Sequence, residues 1–418
     1  MKVLHINTRQ TAGAALCAMR INNALIKEGI ESRMLFAEGK SMPEGIVGEI
    51  AERDTSLWYS HPWLLRLKYQ LVRTPFWDIT EKEKMEVVLR EKNKHLEKKL
   101  YLHGPYSSYK NLSKHPLVEW ADVIHLHWVA NFIDYSTFFS EVKKPIVWTL
   151  HDKFPAVGIQ HNCSSSYPLP ESLKEIDNFS RKIKRDGVLK AKSLNVVAIS
   201  KQMVDICQHS DVLGGFPITL IHNGVDTEWC RPSNKQEARK QLGLPNDSKI
   251  LLFSANSLDD ENKGLDRLIN ALESLRVPNM ILVCLGSNNP EKAIRETSFP
   301  IVCAGYVNEQ NKLSKYYSAA DLFMQCSLEE TFAQAPLEAM ACGLPVVSTP
   351  CSGAPELIQP FNGILCDGFD SDAIASGICQ ALTIDYDSTV IRQYVVDNFE
   401  YDIIAKQYIE LYQSLMTK

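Results

Sequence analysis

The most informative stretch of the chain is Ser327-Leu-Glu-Glu-Thr-Phe-Ala-Gln-Ala-Pro-Leu-Glu-Ala-Met-Ala-Cys-Gly-Leu-Pro-Val-Val-Ser348. It begins with polar loop residues, continues as a helix with Pro336 in its first turn, and ends in an apolar strand after Gly343. Proline suits a helix start because its missing N–H would be unpaired there, and glycine commonly ends a helix. The sequence therefore predicts a helix that follows one strand and leads into another, with Glu330 before the helix and Glu338 within it.

A helix start of this kind suits a phosphate group. Its first backbone N–H groups have no partner in the helix, and the aligned peptide dipoles add partial positive charge. Eight helical residues span about 12 Å, the scale that separates the two sugars of a nucleotide diphosphate sugar. Glu330 and Glu338 are therefore candidates to hold hydroxyl groups on the two sides of a diphosphate. The alternative is a pair of ordinary solvated glutamates.

The same stretch resembles the E-x7-E signature of retaining glycosyltransferases with the GT-B architecture, particularly the large family 4. The resemblance implies that Glu330 contacts the donor hexose and Glu338 the donor ribose. The backbone N–H groups of Thr331, Phe332 and Ala333 would complete the anion site. Family members frequently have glycine where Thr331 and Ala333 stand, so backbone can approach the phosphate less freely here.

Further donor contacts are implied by the second half of the chain. Lys263 precedes a glycine at the place where the family has a Lys-Gly pair on the diphosphate, although an ordinary solvated lysine is the alternative. Gly305 and Tyr306 lie where the family contacts the nucleotide base through backbone, and Asn256 is another donor-binding candidate. The family often has an arginine shortly before the lysine, whereas residues 254–260 contain none, which removes one expected phosphate partner.

Candidates in the first half follow the ends of predicted strands. Gly13 and Ala14 belong to a small-residue loop that resembles the family's glycine-rich turn and would approach a phosphate or the acceptor. His151 follows an apolar strand directly and resembles the family's active-site histidine near the donor sugar, with a structural histidine as the alternative. His125 and His127 alternate along a strand and should point to one face. We interpret them as core histidines and predict no metal site and no cofactor.

The order of apolar runs predicts two doubly wound α/β units. Strand–helix–strand units imply parallel sheets, and the pattern restarts near residue 249. We predict the GT-B fold, with two Rossmann-like parallel-sheet domains facing a cleft. The predicted acceptor domain spans residues 1–225, with a helical insertion at about 54–118, and the donor domain spans 226–395. A helix at 396–418 would cross back to the first domain.

Composition indicates an ordinary globular protein. Of the 418 residues, 45% are hydrophobic and 23% are charged, and the net charge of −5 gives no reason to expect a nucleic-acid partner. Eleven cysteines are scattered without metal-like spacing, which is typical of buried thiols in a reducing compartment. Neither a signal peptide nor a membrane-spanning run is evident, so we expect a cytoplasmic protein. The Trp63–Trp77 segment is predicted either to rest on the inner face of a membrane or to be an internal packing helix.

Together these features predict a retaining, metal-independent hexosyltransferase. The donor would be a nucleotide diphosphate sugar and the acceptor a saccharide or lipid-linked saccharide in polysaccharide synthesis. Lys263, Glu330 and His151 are the predicted catalytic residues. The alternatives are a nucleotide-sugar-binding protein with impaired catalysis, or a GT-B epimerase or phosphorylase.

Overall fold

A computed structural model describes residues 1–11, 13–54, 63, 85, 87–89, 91, 102–160, 168–275, 277–287 and 297–417. The chain forms two compact units. The first unit comprises Met1–Ile199, Met203–Ile221 and Ala405–Lys418, and the second comprises Ser200–Gln202 and His222–Ile404. Most of the predicted insertion, including nearly all of the Trp63–Trp77 segment, lies outside the described residues.

The first unit is built on a parallel sheet. Among the described residues the strand order is β3-β2-β1-β4-β5-β6-β7. The strands are β1 (Lys2–Asn7), β2 (Glu31–Phe36), β3 (Gly48–Ile50), β4 (Val123–Leu126), β5 (Ile146–Leu150), β6 (Leu194–Ala198) and β7 (Ile218–Leu220). The α-helices before residue 222 whose bounds lie in the described part of the chain are α1 (Gly13–Lys27), α2 (Pro116–Trp120), α3 (Phe138–Glu141), α4 (Lys174–Val188) and α5 (Lys201–Gln208). The central strands β1, β4, β5 and β6 are almost completely buried, as expected for a sheet covered on both faces.

The second unit contains another parallel sheet. Its described strands are ordered β10-β9-β8-β11-β12-β13, with β8 (Lys249–Ser257), β9 (Met280–Ser287), β10 (Ile301–Gly305), β11 (Leu322–Gln325), β12 (Val346–Ser348) and β13 (Gly363–Leu365). The helices are α6 (Lys235–Leu242), α7 (Leu265–Leu275), α8 (Gln310–Ala319), α9 (Gln334–Ala341), α10 (Ala354–Leu357), α11 (Ser371–Thr383) and α12 (Ser388–Phe399). The prediction of two doubly wound parallel sheets is confirmed.

In each sheet the first strand lies at the point where the strand order reverses. β1 lies between β2 and β4, and β8 lies between β9 and β11. The loops that leave two such neighbouring strands diverge, which opens a space at the carboxyl ends of the strands where ligands commonly bind. The fold therefore directs attention to the loops after β1 and β4 in the first unit and after β8 and β11 in the second.

The last helix, α13 (Tyr401–Met416), ends within the first unit. The sequence pattern predicts an apolar face that includes Tyr408, Leu411 and Leu415. The structure buries Tyr408 and Tyr412, whereas Leu411 and Leu415 are only half-buried. The phenol of Tyr408 lies 2.8 Å from Thr149 Oγ1, at the centre of the first sheet. The tyrosines are buried because their hydroxyls find partners there.

Some predictions about local structure were incomplete. Strands β3 and β13, each of three residues, and helices α3 to α6 and α10 to α12 were not predicted. The polar sequences Asp370-Ser-Asp372 and Asp385-Tyr-Asp387 predict surface loops, but Asp370 and Asp387 cap α11 and α12 by accepting backbone N–H bonds at 2.9 and 2.8 Å. Cys303, predicted to be buried, is exposed because it lies on the edge strand β10. Among the described helices, none combines the length and apolarity needed to cross a bilayer.

Candidate active site

The loop between β8 and α7 holds Lys263 close to the end of β11. Gly264 has a φ of +79°, and a Cβ on it would lie 2.3 Å from the carbonyl oxygen of Cys326. Only glycine fits such a close approach in this conformation. The guanidinium of Arg267 reinforces the contact because its Nη2 donates to the Cys326 carbonyl at 2.8 Å. Gly264 is therefore required by the close packing of the two loops, and it also positions the neighbouring Lys263.

Lys263 forms an ion pair with Glu330, which lies in the loop after β11. Ser327 Oγ also donates to Glu330 Oε1 at 3.0 Å, and Gln325 Nε2 donates to Ser327 Oγ at 2.8 Å. Burial opposes the charge of Lys263, but the carboxylates of Glu330 and Asp260 outweigh burial and raise the pKa of Lys263 above its usual value. The ammonium is therefore charged at neutral pH, and the lysine keeps 27% of its side chain exposed to solvent.

Asn262 joins the two loops that carry this ion pair. Its Nδ2 donates to the Glu329 carbonyl at 2.9 Å, and its Oδ1 accepts from the Glu329 N–H at 3.0 Å. The backbone N–H of Leu328 also donates to the Asn262 carbonyl at 2.8 Å. Three hydrogen bonds thus fix the loop before Lys263 against the loop before Glu330, although the two loops are far apart in sequence.

Glu338 occupies a different local environment, within α9. Its side chain is 8% exposed and its Oε2 accepts from the Tyr317 hydroxyl at 3.1 Å. Burial, followed by the charge of Glu338, raises the pKa of Tyr317 well above its usual range, so the phenol keeps its proton and donates. Ala333 is the N-cap residue of α9 and makes no side-chain hydrogen bond to the first backbone N–H groups of the helix.

The other predicted donor residues lie around this edge of the second sheet. Thr331 uses its carbonyl to accept from Ser352 Oγ at 3.0 Å. Phe332 is buried, and a Cβ on Gly353 would lie 2.5 Å from its ring. Asn256 is exposed in the irregular last part of β8.

Gly305 and Tyr306 lie at the end of the exposed edge strand β10. Gly305 has a φ of +73°, and a Cβ on it would meet no described atom within 4 Å. Tyr306 is 63% exposed. The glycine is therefore required by its backbone conformation rather than by a close neighbour in the described part of the chain.

In the first unit the half-buried His151 belongs to a histidine cluster with His5, His125 and His127, which are buried. His127 Nε2 lies 2.8 Å from His5 Nδ1, and His127 Nδ1 lies 3.0 Å from His151 Nε2. His125 and His127 do share one face, with ring centroids 4.1 Å apart. Burial lowers the pKa of His5 to about 3 and that of His151 to about 4, so the rings are neutral at pH 7.

His125 belongs to a second line of hydrogen bonds that reaches the last helix. Tyr412 OH lies 2.7 Å from His125 Nδ1, and His125 Nε2 lies 2.8 Å from Thr149 Oγ1. Burial, followed by the charges of neighbouring histidines, holds the pKa of His125 well below its usual value. The hydroxyl of Tyr412 in α13 therefore bonds directly to the cluster, and the hydroxyl of Tyr408 lies beside Thr149.

One ring nitrogen from each of His5, His125 and His127 lies within 4.8 Å of the other two. This spacing would admit a metal ion geometrically. Five of their six ring nitrogens, however, already lie within hydrogen-bonding distance of one another, of His151 or of hydroxyls. A metal would have to displace these bonds, so we interpret the group as a hydrogen-bonded cluster.

Gly13 and Ala14 do not form a loop. They make the first turn of α1, whereas the sequence pattern predicts a helix only from about Leu16. The run Gly13-Ala-Ala-Leu16 favours helix because alanine and leucine have high helix propensity. A Cβ on Gly13 would meet no described atom within 4 Å, so the helix start is uncrowded.

Sequence reasoning missed the residues that support the predicted ones. Asn262, Ser327 and Tyr317 each bond to a predicted residue or to its loop, and His5 completes the histidine cluster. Ser327 and Asn262 could have been identified from their positions, because both are polar residues in the loops that follow strands β11 and β8. Tyr317 and His5 gave no comparable signal, since each lies within an otherwise regular helix or strand.

Two family models match the chain over adjacent ranges. The model described as glycosyl transferases group 1 matches residues 234–395, and the model described as glycosyltransferase family 4 matches residues 66–229. The second model also matches much of the sequence that contains the predicted insertion. The two matches fall on the second and first halves of the chain, respectively.

Curated relatives agree with the family models. An uncharacterized glycosyltransferase of Methanocaldococcus jannaschii is 27% identical over 71% of this chain and 76% of its own length. A D-inositol 3-phosphate glycosyltransferase of Xylanimonas cellulosilytica is 27% identical over 60% of this chain and 61% of its own length. The chain thus spans about three quarters of the first relative and less than two thirds of the second.

Solved structures resemble the whole fold. Sucrose-phosphate synthase from Thermosynechococcus elongatus has a TM-score of 0.64 at 18% identity and covers 100% of this chain and 99% of its own. Anabaena HepE, solved in complex with UDP and glucose, has a TM-score of 0.64 at 18% identity and covers 99% of this chain and 100% of its own. These likenesses confirm the predicted GT-B fold. The chain belongs to the group 1, family 4 type of glycosyltransferases.

Proposed function

We propose that this protein transfers a sugar, with retention of configuration, from a nucleotide diphosphate sugar to an acceptor hydroxyl. The observation that carries the proposal is the charged Lys263 beside Glu330, held at the carboxyl edge of the second sheet. The start of α9 provides further partial positive charge at the same edge. A lysine together with the N–H groups of a helix start suits a diphosphate.

The leaving diphosphate is the group that most needs stabilisation. Its negative charge develops as the bond between the anomeric carbon and the phosphate oxygen breaks, and preorganised positive charge is usually the largest catalytic contribution. Lys263 stays protonated because neighbouring carboxylates raise its pKa. We propose that Lys263 and the start of α9 neutralise this charge without a metal ion.

The two carboxylates would hold the sugars of the donor. Glu330 is 18% exposed in its side chain, which leaves oxygen surface for the hydroxyls of the transferred sugar. Glu338 already accepts from Tyr317, but a carboxylate offers about four acceptor positions, so it can also accept from a ribose hydroxyl. In this scheme the acceptor oxygen bonds the anomeric carbon on the face that the phosphate leaves, and its proton passes to the leaving phosphate oxygen.

The likeness to Anabaena HepE suggests which donors to test first. HepE has been solved with UDP and with UDP-glucose, and several relatives are D-inositol 3-phosphate glycosyltransferases. We propose a uridine diphosphate hexose as the donor. The acceptor would be a saccharide or a lipid-linked saccharide, and the roles of Gly13, Ala14 and His151 toward it stay predictions.

Native mass spectrometry of the protein with a panel of nucleotide sugars would test the proposal. We expect one donor class to bind and, with a mixture of saccharide acceptors and EDTA present, to yield a new glycoside of unchanged anomeric configuration. Tight binding without transfer would instead support the alternative of a nucleotide-sugar-binding protein with impaired catalysis. The absence of an arginine from residues 254–260 is the observation that suggests this alternative. Turnover that needs free phosphate would identify a phosphorylase, and donor isomerisation without an acceptor would identify an epimerase.

A further inference from the structure

Three histidines of the first unit form one linear series of hydrogen bonds. His5 Nδ1 lies 2.8 Å from His127 Nε2, and His127 Nδ1 lies 3.0 Å from His151 Nε2. The ring planes of the two neighbouring pairs are inclined by only 20° and 22°, and their centroids lie 5.1 and 5.3 Å apart. The middle ring, His127, therefore uses both of its nitrogens to bond to other imidazoles.

The protons in this series can be arranged in only two ways. Burial keeps all three rings neutral at pH 7, since it lowers the pKa of His5 to about 3, that of His151 to about 4 and that of His127 well below its usual value. A neutral imidazole has one N–H and one acceptor nitrogen. His127 must therefore donate to one neighbour and accept from the other, which fixes the direction of the whole series.

The inner end of the series indicates which direction is preferred. His5 Nε2 is buried and has no hydrogen-bond partner among the described residues. If the bonds ran from His151 toward His5, this atom would carry a buried N–H without an acceptor. If they run from His5 toward His151, it carries only an unused lone pair. Buried N–H groups without partners are rare, and unused acceptors are better tolerated. The outward direction is therefore favoured.

We propose that His127, backed by His5, is a positioning residue that keeps the proton of His151 on Nδ1. His151 Nε2 then accepts from His127, so His151 is a hydrogen-bond donor through Nδ1 and is not available as a general base. An N–H donor suits a hydroxyl oxygen of a sugar. This role in the reaction rests on the proposed function, whereas the tautomer of His151 does not.

Nuclear magnetic resonance of protein labelled with ¹⁵N-histidine would read the tautomers directly. Two-bond ¹H–¹⁵N correlation spectra at pH 7.5 distinguish a protonated ring nitrogen from a bare one, and this distinction decides the direction of the series. We expect Nδ1–H for His151, His127 and His5, with the exposed His209 as an internal reference. A proton on His151 Nε2 would overturn the proposal, and so would a stoichiometric metal ion bound to the purified protein.

A matched pair of variants separates positioning from mere packing. His127→Asn keeps an N–H donor near the Nδ1 position, so the His151 signals should stay those of the Nδ1–H tautomer. His127→Leu has similar bulk but no donor, so we expect a mixture of His151 tautomers. Turnover by the leucine variant should fall about tenfold, the effect of one neutral hydrogen bond, with nucleoside diphosphate affinity unchanged.

Folding of both variants is checked by the signals of His125, which belongs to the separate line of bonds to Tyr412. His151 in a single unchanged tautomer in the leucine variant would contradict the proposal. If the tautomers shift as expected but the wild type shows no glycosyl transfer, the proposed function fails while the positioning role of His127 stands.

Discussion

The two candidate regions occupy equivalent places in their sheets but differ in charge. The histidine cluster lies on and just beyond β1, β4 and β5 and is neutral, because burial suppresses protonation and its four members are all imidazoles. The Lys263–Glu330 pair lies in the loops after β8 and β11 and is charged, because each group supplies the opposite charge to the other. A titratable residue buried at such an edge is therefore charged where a group of opposite charge lies beside it and neutral where none does.

Removing the charge from the second region should have the largest effect. Lys263→Ala leaves a diphosphate without its lysine and Glu330 without its counter-charge, so we expect turnover to fall about 100- to 1,000-fold, as for the loss of one preorganised donor. Nucleoside diphosphate affinity should fall as well. Steady-state kinetics and isothermal titration calorimetry measure the two quantities. Lys263→Arg, which keeps the charge, is the control, and unchanged turnover in the alanine variant would contradict the assignment.

Making the carboxylate neutral should have the next largest effect. Glu330→Gln keeps the size of the side chain but replaces the charged acceptor that we assign to the sugar hydroxyls. Hydrogen bonds to charged groups contribute about 1.5–3 kcal/mol, so we expect turnover, measured by steady-state kinetics, to fall about 10- to 100-fold. Nucleoside diphosphate affinity should change little. A variant that loses nucleotide affinity in proportion to turnover would show that Glu330 acts on the diphosphate instead.

Acid should charge the histidines of the unfolded chain before those of the neutral cluster. The unfolded chain binds protons below about pH 6.5, whereas folded His5 and His151 bind them only near pH 3 and 4. Stability is therefore present above pH 6.5 and is lost as the pH falls toward 4. At pH 5.5, one unit below the pKa of a histidine in the unfolded chain, each of these two histidines should lower the free energy of unfolding by about 1.4 kcal/mol, or by about 3 kcal/mol together.

Hydrogen exchange at pH 7.5 and 5.5, corrected for intrinsic rates, measures this loss in each unit separately. Peptides from β1, β4 and β5 should lose protection at the lower pH, while peptides from β8 and β11 change less. His151→Gln removes one of the suppressed groups and should make the pH dependence shallower. Equal loss of protection in both units would show that the histidines are not its source.

The smallest effect should come from the loop contact that supports the charged pair. Asn262→Ala removes the two side-chain hydrogen bonds to Glu329 but leaves the backbone bond from Leu328. We expect a loss of about 1–2 kcal/mol in stability and faster hydrogen exchange around residues 328–330. The exposed Asn256 provides a control through Asn256→Ala. Equal exchange in both variants would show that Asn262 does not hold the loop.

Local sequence signals predicted most of the fold. Apolar runs bounded by turn residues placed β1, β2, β4 and β5 to within about one residue at each end, because buried parallel strands need continuous apolar sequence. The three-residue strands β3 and β13 were missed because so few residues carry no clear pattern. Helices α11 and α12 were missed because their capping aspartates were interpreted as loop residues.

Sequence patterns were enough to identify the fold class and the family, since both depend on short stretches such as residues 327–348. They also identified Lys263, Glu330 and Glu338 as candidates. Only the tertiary structure brought Lys263 to Glu330, 67 residues away, and His5 to His127, 122 residues away. Such partners come from different strands of a sheet or from the loops that follow them, and their pairing depends on strand order and register. Burial then decided their charge, because the cost of an ion depends on what surrounds it.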